Sequence, residues 1–307
     1  MLNYCSVIFM KKQLRGSMIL MLTTVIWGSA FVSQSVGMDH IGPFTFQAVR
    51  CFLAVIGLLP VIVVADRFKK DGNTFLGRWA DPKLWKAGLI CGIPLFLACN
   101  LQQVGLVNTD AGKSGFLTAM YIVIVPIIGI FRKRKPSIFV PLSVVLAVAG
   151  LYFLSGMGLS KINTGDLLTL GCALMFAIQI TFIDVFADSV DPLRLNTIQS
   201  LVCSVLSAAI MLFAEMPTTD GILQASLPLA HAGFLSMGAA YALQIIGQKD
   251  LEPTAAALIM SLESVFAVIF AVWLLHERMT PQEILGCCLL FGAVILSQIP
   301  VKEKATV

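Results

Sequence analysis

The sequence predicts an all-α integral membrane protein with ten transmembrane helices, arranged as two inverted five-helix repeats with both termini in the cytoplasm. Three observations carry that prediction: too little charge for a soluble surface, ten apolar runs of spanning length, and basic residues confined to alternate connections. Of the 307 residues 58% are hydrophobic and 12% charged, and the mean hydropathy is +0.89. A soluble chain carries about 25% charged residues, so half the charge that a water-facing surface needs is absent. That balance excludes an ordinary soluble enzyme. Apolar dominance, with 24 Gly, 13 Pro and 8 Cys, also excludes disorder, a collagen-like repeat and a disulfide scaffold. Each crossing takes about 20 apolar residues, so ten helices use roughly 200 positions and leave no room for a separate soluble domain.

Apolar runs bounded by charge, Gly/Pro or turn signals place the spans at 16–36, 42–65, 85–106, 112–131, 137–155, 165–186, 193–214, 227–247, 254–275 and 281–299. The first follows Lys11, Lys12 and Arg15; with no small-residue cleavage site before Asp39, it reads as a retained helix. Arg67, Lys69, Lys70, Arg78, Lys83 and Lys86 lie between the second and third spans, and Arg132-Lys133-Arg134-Lys135 between the fourth and fifth. Arg194 marks the sixth-to-seventh connection, Lys249 the eighth-to-ninth, and Lys302 and Lys304 follow the tenth. With the N-terminus inside, these 17 of the 21 basic residues fall on the cytoplasmic side. Lys113, Lys161 and Arg278 fall outside, and Arg50 lies within a span. One missed or invented helix scrambles the alternation, so it supports ten. The resulting organisation is a cytoplasmic segment 1–15, a first repeat 16–155, a linker 156–164, a second repeat 165–299 and a cytoplasmic tail 300–307.

The two halves overlay weakly. At an offset of 149, Pro43 meets Pro192, Trp27 meets Phe176 and Arg50 meets Gln199. At an offset near 143, the stretch from Thr118 to Pro136 runs against Ser261 to Met279, and both helices end in a charged turn. Five spans per half is an odd number, so a duplicated half inserts upside down, a natural basis for alternating access.

Trp27-Gly28-Ser29-Ala30-Phe31, then Gly42-Pro43-Phe44-Thr45-Phe46 leading to Arg50, and Leu262-Glu263-Ser264-Val265-Phe266 followed by Glu277-Arg278 resemble the EamA-type branch of the drug/metabolite transporter superfamily. The resemblance covers residues 16 to 299. It implies two inverted repeats, a central cavity lined by helices 1 to 4 and 6 to 9, peripheral helices 5 and 10, and export of metabolites, amino acids or related small molecules. Ser264 departs from the pattern, since the second repeat of the family often has Pro there, which implies a weaker helix distortion.

Ionisable groups inside a span cost about 2.5 to 3.5 kcal/mol at mid-helix, so they face a cavity or a partner. Arg50 lies eight residues past Gly42 and Glu263 nine past Thr254, roughly 12 and 14 Å deep from opposite faces of a core about 30 Å thick. That common depth permits a direct ion pair, or a site holding a zwitterion with Arg50 on its carboxylate and Glu263 on its amine. A further reading makes Glu263 a proton carrier, with protons as partners in transport. Polar stripes at helical spacing supply candidate cavity walls: Phe96, Asn100 and Gln103; Ser114, Thr118 and Tyr121; Gln47 with Arg50; Asn196 with Gln199; Tyr241 with Gln244; Trp27 with Ala30 and Gln34. Gln179 completes the candidate set. Helix–helix hydrogen bonding explains any single member equally well. Gly88, Gly92, Gly105, Gly112 and Gly115 read as points of close helix approach.

No cofactor or metal is implied, because no CxxC or Cys/His spacing occurs and seven of the eight cysteines lie in apolar runs. Gly112-Lys113-Ser114 lacks the earlier glycine and the strand of a phosphate-binding loop. Gly112-Lys113-Ser114-Gly115 formally matches the nucleophile motif of rhomboid-type proteases, but His40, His231 and His276 lie at or near span ends, so an enzyme is not expected. The expectation is a secondary-active or facilitative exporter of small metabolites in the cell membrane, with small-molecule substrate and lipids as partners and no nucleic acid. The alternatives are an importer or exchanger of sugar phosphates or nucleotide sugars, which calls for several central cations, and a lipid-handling protein using the Arg132–Lys135 turn.

Overall fold

The structure, a computed structural model, describes residues 2–69, 74–109, 111–132, 139–154, 163–275 and 279–297, without the side chains of 2–9, 111–113, 271 and 274–275. The Lys113 side chain, Lys133 to Lys135, Lys161, His276-Glu277-Arg278, Lys302 and Lys304 lie outside the described residues.

Among the described residues the regular structure is entirely helical; proline opens five of the helices, and Asp81, Asn163 and Asp191 cap three. α1 (Leu2–Met38) runs N-terminally beyond the expected span. α2 (Pro43–Arg67) is followed by a short α3 (Phe75–Trp79) and by α4 (Pro82–Gly105), where Asp81 accepts from Lys83 N. α5 (Ala111–Ala119) and α6 (Tyr121–Phe131) share the fourth span, and α7 (Val140–Leu154) is the fifth. α8 (Thr164–Phe186) opens on a capping box between Asn163 and Asp166, and α9 (Pro192–Ala214) on Asp191. The eighth span is composite: short α10 (Thr219–Gln224) leads to α11 (Ser226–Ala230), a π-helical segment (His231–Ala240) and α12 (Tyr241–Gln248). α13 (Pro253–Met260), α14 (Glu263–Leu275) and α15 (Pro281–Ser297) complete the chain. Among the described residues eight segments are long and apolar enough to cross a membrane; α7 and α15 are apolar, with 15 and 17 residues described as helix.

The fourth and ninth spans break at matching places. Met120 separates α5 from α6, and Ser261-Leu262 separates α13 from α14. At each break the hydrogen bonds tighten to three-residue spacing, Val123 N to Met120 O at 3.0 Å and Leu262 N to Ile259 O at 3.0 Å. The ninth span is thus interrupted just before Ser264, without proline. The Ser261 hydroxyl donates to the Leu258 carbonyl at 2.7 Å and competes with the α-helical ladder there.

α2 and α9 pack antiparallel and are tied at both ends. The Glu215 carboxylate, at the end of α9, accepts from Phe44 N and Thr45 N at 2.8 Å each, and so satisfies the open amides that begin α2. At the other end Asp66 accepts from Arg194 Nη2 at 2.5 Å and from Arg78 Nη1 at 2.5 Å. Arg194 is 1% exposed and lies 5.6 and 5.3 Å from the ring centres of Phe75 and Trp79. Close approach uses glycine as expected at Gly92, where an added Cβ meets Val202 at 2.9 Å, and at Gly105, where it meets the Gly165 carbonyl at 3.0 Å.

Candidate functional site

A small cavity lies where the broken helices meet α1, α2, α4, α8 and the composite eighth span. Its volume is about 40 Å³, room for a few waters. Trp27, Phe31 and Gln34 line it from α1 at spacings of four and three, which puts them on one helical face. Arg50 comes from α2, Gln102 from α4, Tyr121 from the start of α6, and Phe176 and Ile180 from α8. Ser236, Tyr241 and Gln244 come from the eighth span, and Met260 and Glu263 from the two sides of the ninth-span break. Ser236 precedes Tyr241 by five residues, the spacing of a π-turn, so the π-helical segment brings both to one wall.

Arg50 and Glu263 are 3% and 7% exposed. Among the described residues no salt bridge joins them; Arg50 has its guanidinium 5.8 Å from the Phe46 ring centre, and its Nε has no hydrogen-bond partner. Glu263 accepts from Tyr121 Oη at 3.3 Å. Those two residues are 142 positions apart, each the first residue after its helix break. The repeat thus places equivalent positions in contact at the centre of the molecule. Trp27 stacks obliquely on Tyr241 with ring centres 4.9 Å apart, and its Nε1 is an unpartnered donor. Gln34 Oε1 and Gln244 Oε1 are unpartnered acceptors. The cavity therefore offers both donors and acceptors to whatever enters it.

Of the sequence-derived candidates, Trp27, Gln34, Arg50, Tyr121, Tyr241, Gln244 and Glu263 meet in the cavity. The other polar candidates are buried between helices. Gln47 faces the Cys51 and Cys203 thiols at 3.8 and 3.6 Å, and Asn100 donates to Ser207 Oγ and the Phe96 carbonyl at 2.8 Å each. Thr118 accepts from Gln102 at 3.1 Å. Gln103 and Ser114 have no hydrogen-bond partner. Gln179 donates to Gln199 at 3.4 Å. His231 lies between Ser29 and Ser33, at 3.1 and 2.9 Å, and not beside Ser114. Sequence reasoning passed over Phe31, Gln102, Phe176, Ile180, Ser236 and Met260. Most are apolar, and an apolar lining residue has no distinguishing mark in a chain of apolar helices; only Phe31 sat on an already marked face.

Apolar helices around a buried polar cavity, with related halves that both contribute to its wall, define a multi-pass membrane protein of the transporter kind. The chain belongs to the EamA-like transporter family, which matches residues 14–156 and 163–298, one match per half. It is 36% identical over 293 residues to an uncharacterized transporter of Archaeoglobus fulgidus, covering 93% of this chain and 86% of that one. It is 23% identical over 279 residues to the uncharacterized transporter YoaV of Bacillus subtilis, covering 87% and 92%. A solved crystal structure at 17% identity covers 92% of this chain and 97% of its own with a TM-score of 0.74, a likeness of fold.

Proposed function

We propose that this membrane transporter works by alternating access and exports small zwitterionic metabolites such as amino acids across the cell membrane. In this reading ten helices cross the bilayer with both termini in the cytoplasm. Repeats 16–155 and 165–299 are inverted relative to each other, and 1–15, 156–164 and 300–307 are flanking or linking segments. The observation that carries the reading is one cavity that takes an unneutralised guanidinium from the first half and a carboxylate from the second. Arg50 binds the substrate carboxylate and Glu263 its amine. Glu263 also exchanges a proton, which couples transport to a pH gradient. Breaks in the fourth and ninth spans beside these groups supply the bending that alternating access needs. A dianion such as a sugar phosphate calls for several cations, and among the described residues Arg50 is the one cation lining the cavity.

Flux of labelled amino acids into proteoliposomes, with and without an imposed pH gradient, tests the proposal. Saturable flux that rises with the gradient is expected. Glu263→Gln then loses the gradient dependence, and Arg50→Gln raises KM about ten- to hundredfold, the loss of about 1.5–3 kcal/mol for one charge-assisted hydrogen bond. Unchanged flux and pH profile in both variants overturn the assignment of the two residues, and absence of flux for every amino acid overturns the substrate class.

A further inference from the structure

Four buried amides form a chain whose direction is fixed at one end. Asn196 Nδ2 donates to the carbonyl oxygens of Met237 and Gly238, at 3.0 and 2.8 Å, both in the π-helical segment. A carbonyl only accepts, so the Asn196 amide group is anchored there, and its Oδ1 is turned toward the next residue. That oxygen accepts from Gln199 Nε2 at 2.9 Å, Gln199 Oε1 from Gln179 Nε2 at 3.4 Å, and Gln179 Oε1 from Gln244 Nε2 at 3.3 Å. Each amide has one donor end and one acceptor end, so the orientation of Asn196 passes to the other three. Reversing any one of them sets NH2 against NH2 or oxygen against oxygen in a buried place. The chain therefore ends on Gln244 Oε1, which has no partner among the described residues although Gln244 is 1% exposed and lines the cavity.

We propose that Gln244 Oε1 is a subsite for an N–H donor of the transported molecule, and that Asn196, Gln199 and Gln179 are positioning residues that hold the oxygen toward it. The inference rests on the reading of the cavity as a zwitterion site and adds a selection rule to it. A primary or secondary amine satisfies Glu263 and Gln244 together. A quaternary ammonium has no N–H, so it leaves Gln244 Oε1 buried and unpaired, and is rejected.

Binding of leucine and of its N,N,N-trimethyl betaine to the purified full-length protein in detergent, followed by calorimetry and by tryptophan fluorescence, is the test. The wild type is expected to bind leucine at least about tenfold tighter than the betaine, the weight of one hydrogen bond to a charged donor. Gln244→Leu weakens leucine about tenfold and leaves the betaine unchanged, so the preference collapses. Unchanged betaine binding in that variant separates a lost contact from a damaged fold. Asn196→Leu frees the chain and reduces the preference without touching the ligand. A Gln244→Leu variant that keeps the wild-type preference overturns the subsite. Binding that depends on Gln244 but is indifferent to Arg50→Gln overturns only the zwitterion reading, and a wild type that binds neither compound overturns both.

Discussion

Asp191 caps α9 by accepting from Arg194 N at 3.0 Å and also pairs with Lys69. Burial pushes its carboxyl up, but hydrogen bonds from Lys69 and the Arg194 amide, helped by both positive charges, pull harder and leave it below the ordinary aspartate value. Folding thus favours the ionised form. The stability gained is complete above the unfolded pKa of about 3.9 and is lost as pH falls through the lowered folded value. Melting curves in detergent at about pH 7 and about pH 3.5 are expected to show a smaller acid loss in Asp191→Asn, which keeps the cap, than in the wild type. Asp191→Ala loses cap and pair together and costs about 1 kcal/mol for the cap alone at neutral pH. Identical pH slopes in all three proteins count against this account. At this scale the sequence marked charge well. Arg50 and Glu263 stood out because an ionisable group in a span is costly wherever it points. It marked amides poorly: Gln102 lines the cavity and neighbouring Gln103 does not, and the difference is a helix rotation that packing sets.

Helix starts were legible because Pro43, Pro82, Pro192 and Pro253 each open a helix whose first turn has no use for the missing N–H. The interruptions were not. No proline marks Met120 or Ser261-Leu262, and the π-helical segment His231–Ala240 has no residue type that announces it. α7 and α15 illustrate a feature that the sequence left unmarked, since a glycine inside an apolar span does not name a partner. The structure pairs them: a Cβ on Gly150 meets the Gly286 carbonyl at 2.8 Å, and one on Gly286 meets the Gly150 carbonyl at 2.6 Å. Those obstacles are backbone and cannot move aside cheaply. Gly286→Val is expected to lower stability by about 1–3 kcal/mol, as overpacking does, and to loosen α15. Tm and protease resistance of α15 report it; wild-type values in both sink the pairing. The tie between α2 and α9 is a second element-scale case. Asp66→Ala leaves the buried Arg194 guanidinium with Asp191 at 3.6 Å as its one carboxylate partner among the described residues, a loss near the low end of the range for breaking a buried pair, about 3 kcal/mol. A Tm equal to the wild type's contradicts it.

For the molecule as a whole, the placement of the basic residues leads to a topology that fusions can read. A fluorescent reporter that matures only in the cytoplasm, joined after residue 307, is expected to shine, and one joined in the second-to-third connection likewise. A periplasmic phosphatase inserted in the first-to-second connection at Asp39-His40 is expected to be active. A dark C-terminal fusion together with a bright second-to-third fusion means an odd number of crossings between them and overturns the count of ten.

Class and the presence of two halves were legible in the sequence alone. They depend on quantities summed along the chain, above all apolar length against bilayer thickness. Which polar groups face the cavity was decided only by tertiary structure. In apolar helices the same glutamines, serines and tyrosines serve helix contacts and substrate sites, and the cost of an unpaired buried group is settled by what lies across from it. Gln199 and Gln244 look alike in the sequence. Packing spends the first on its neighbours and leaves the second, a cavity-lining residue, with a buried oxygen that no described residue satisfies.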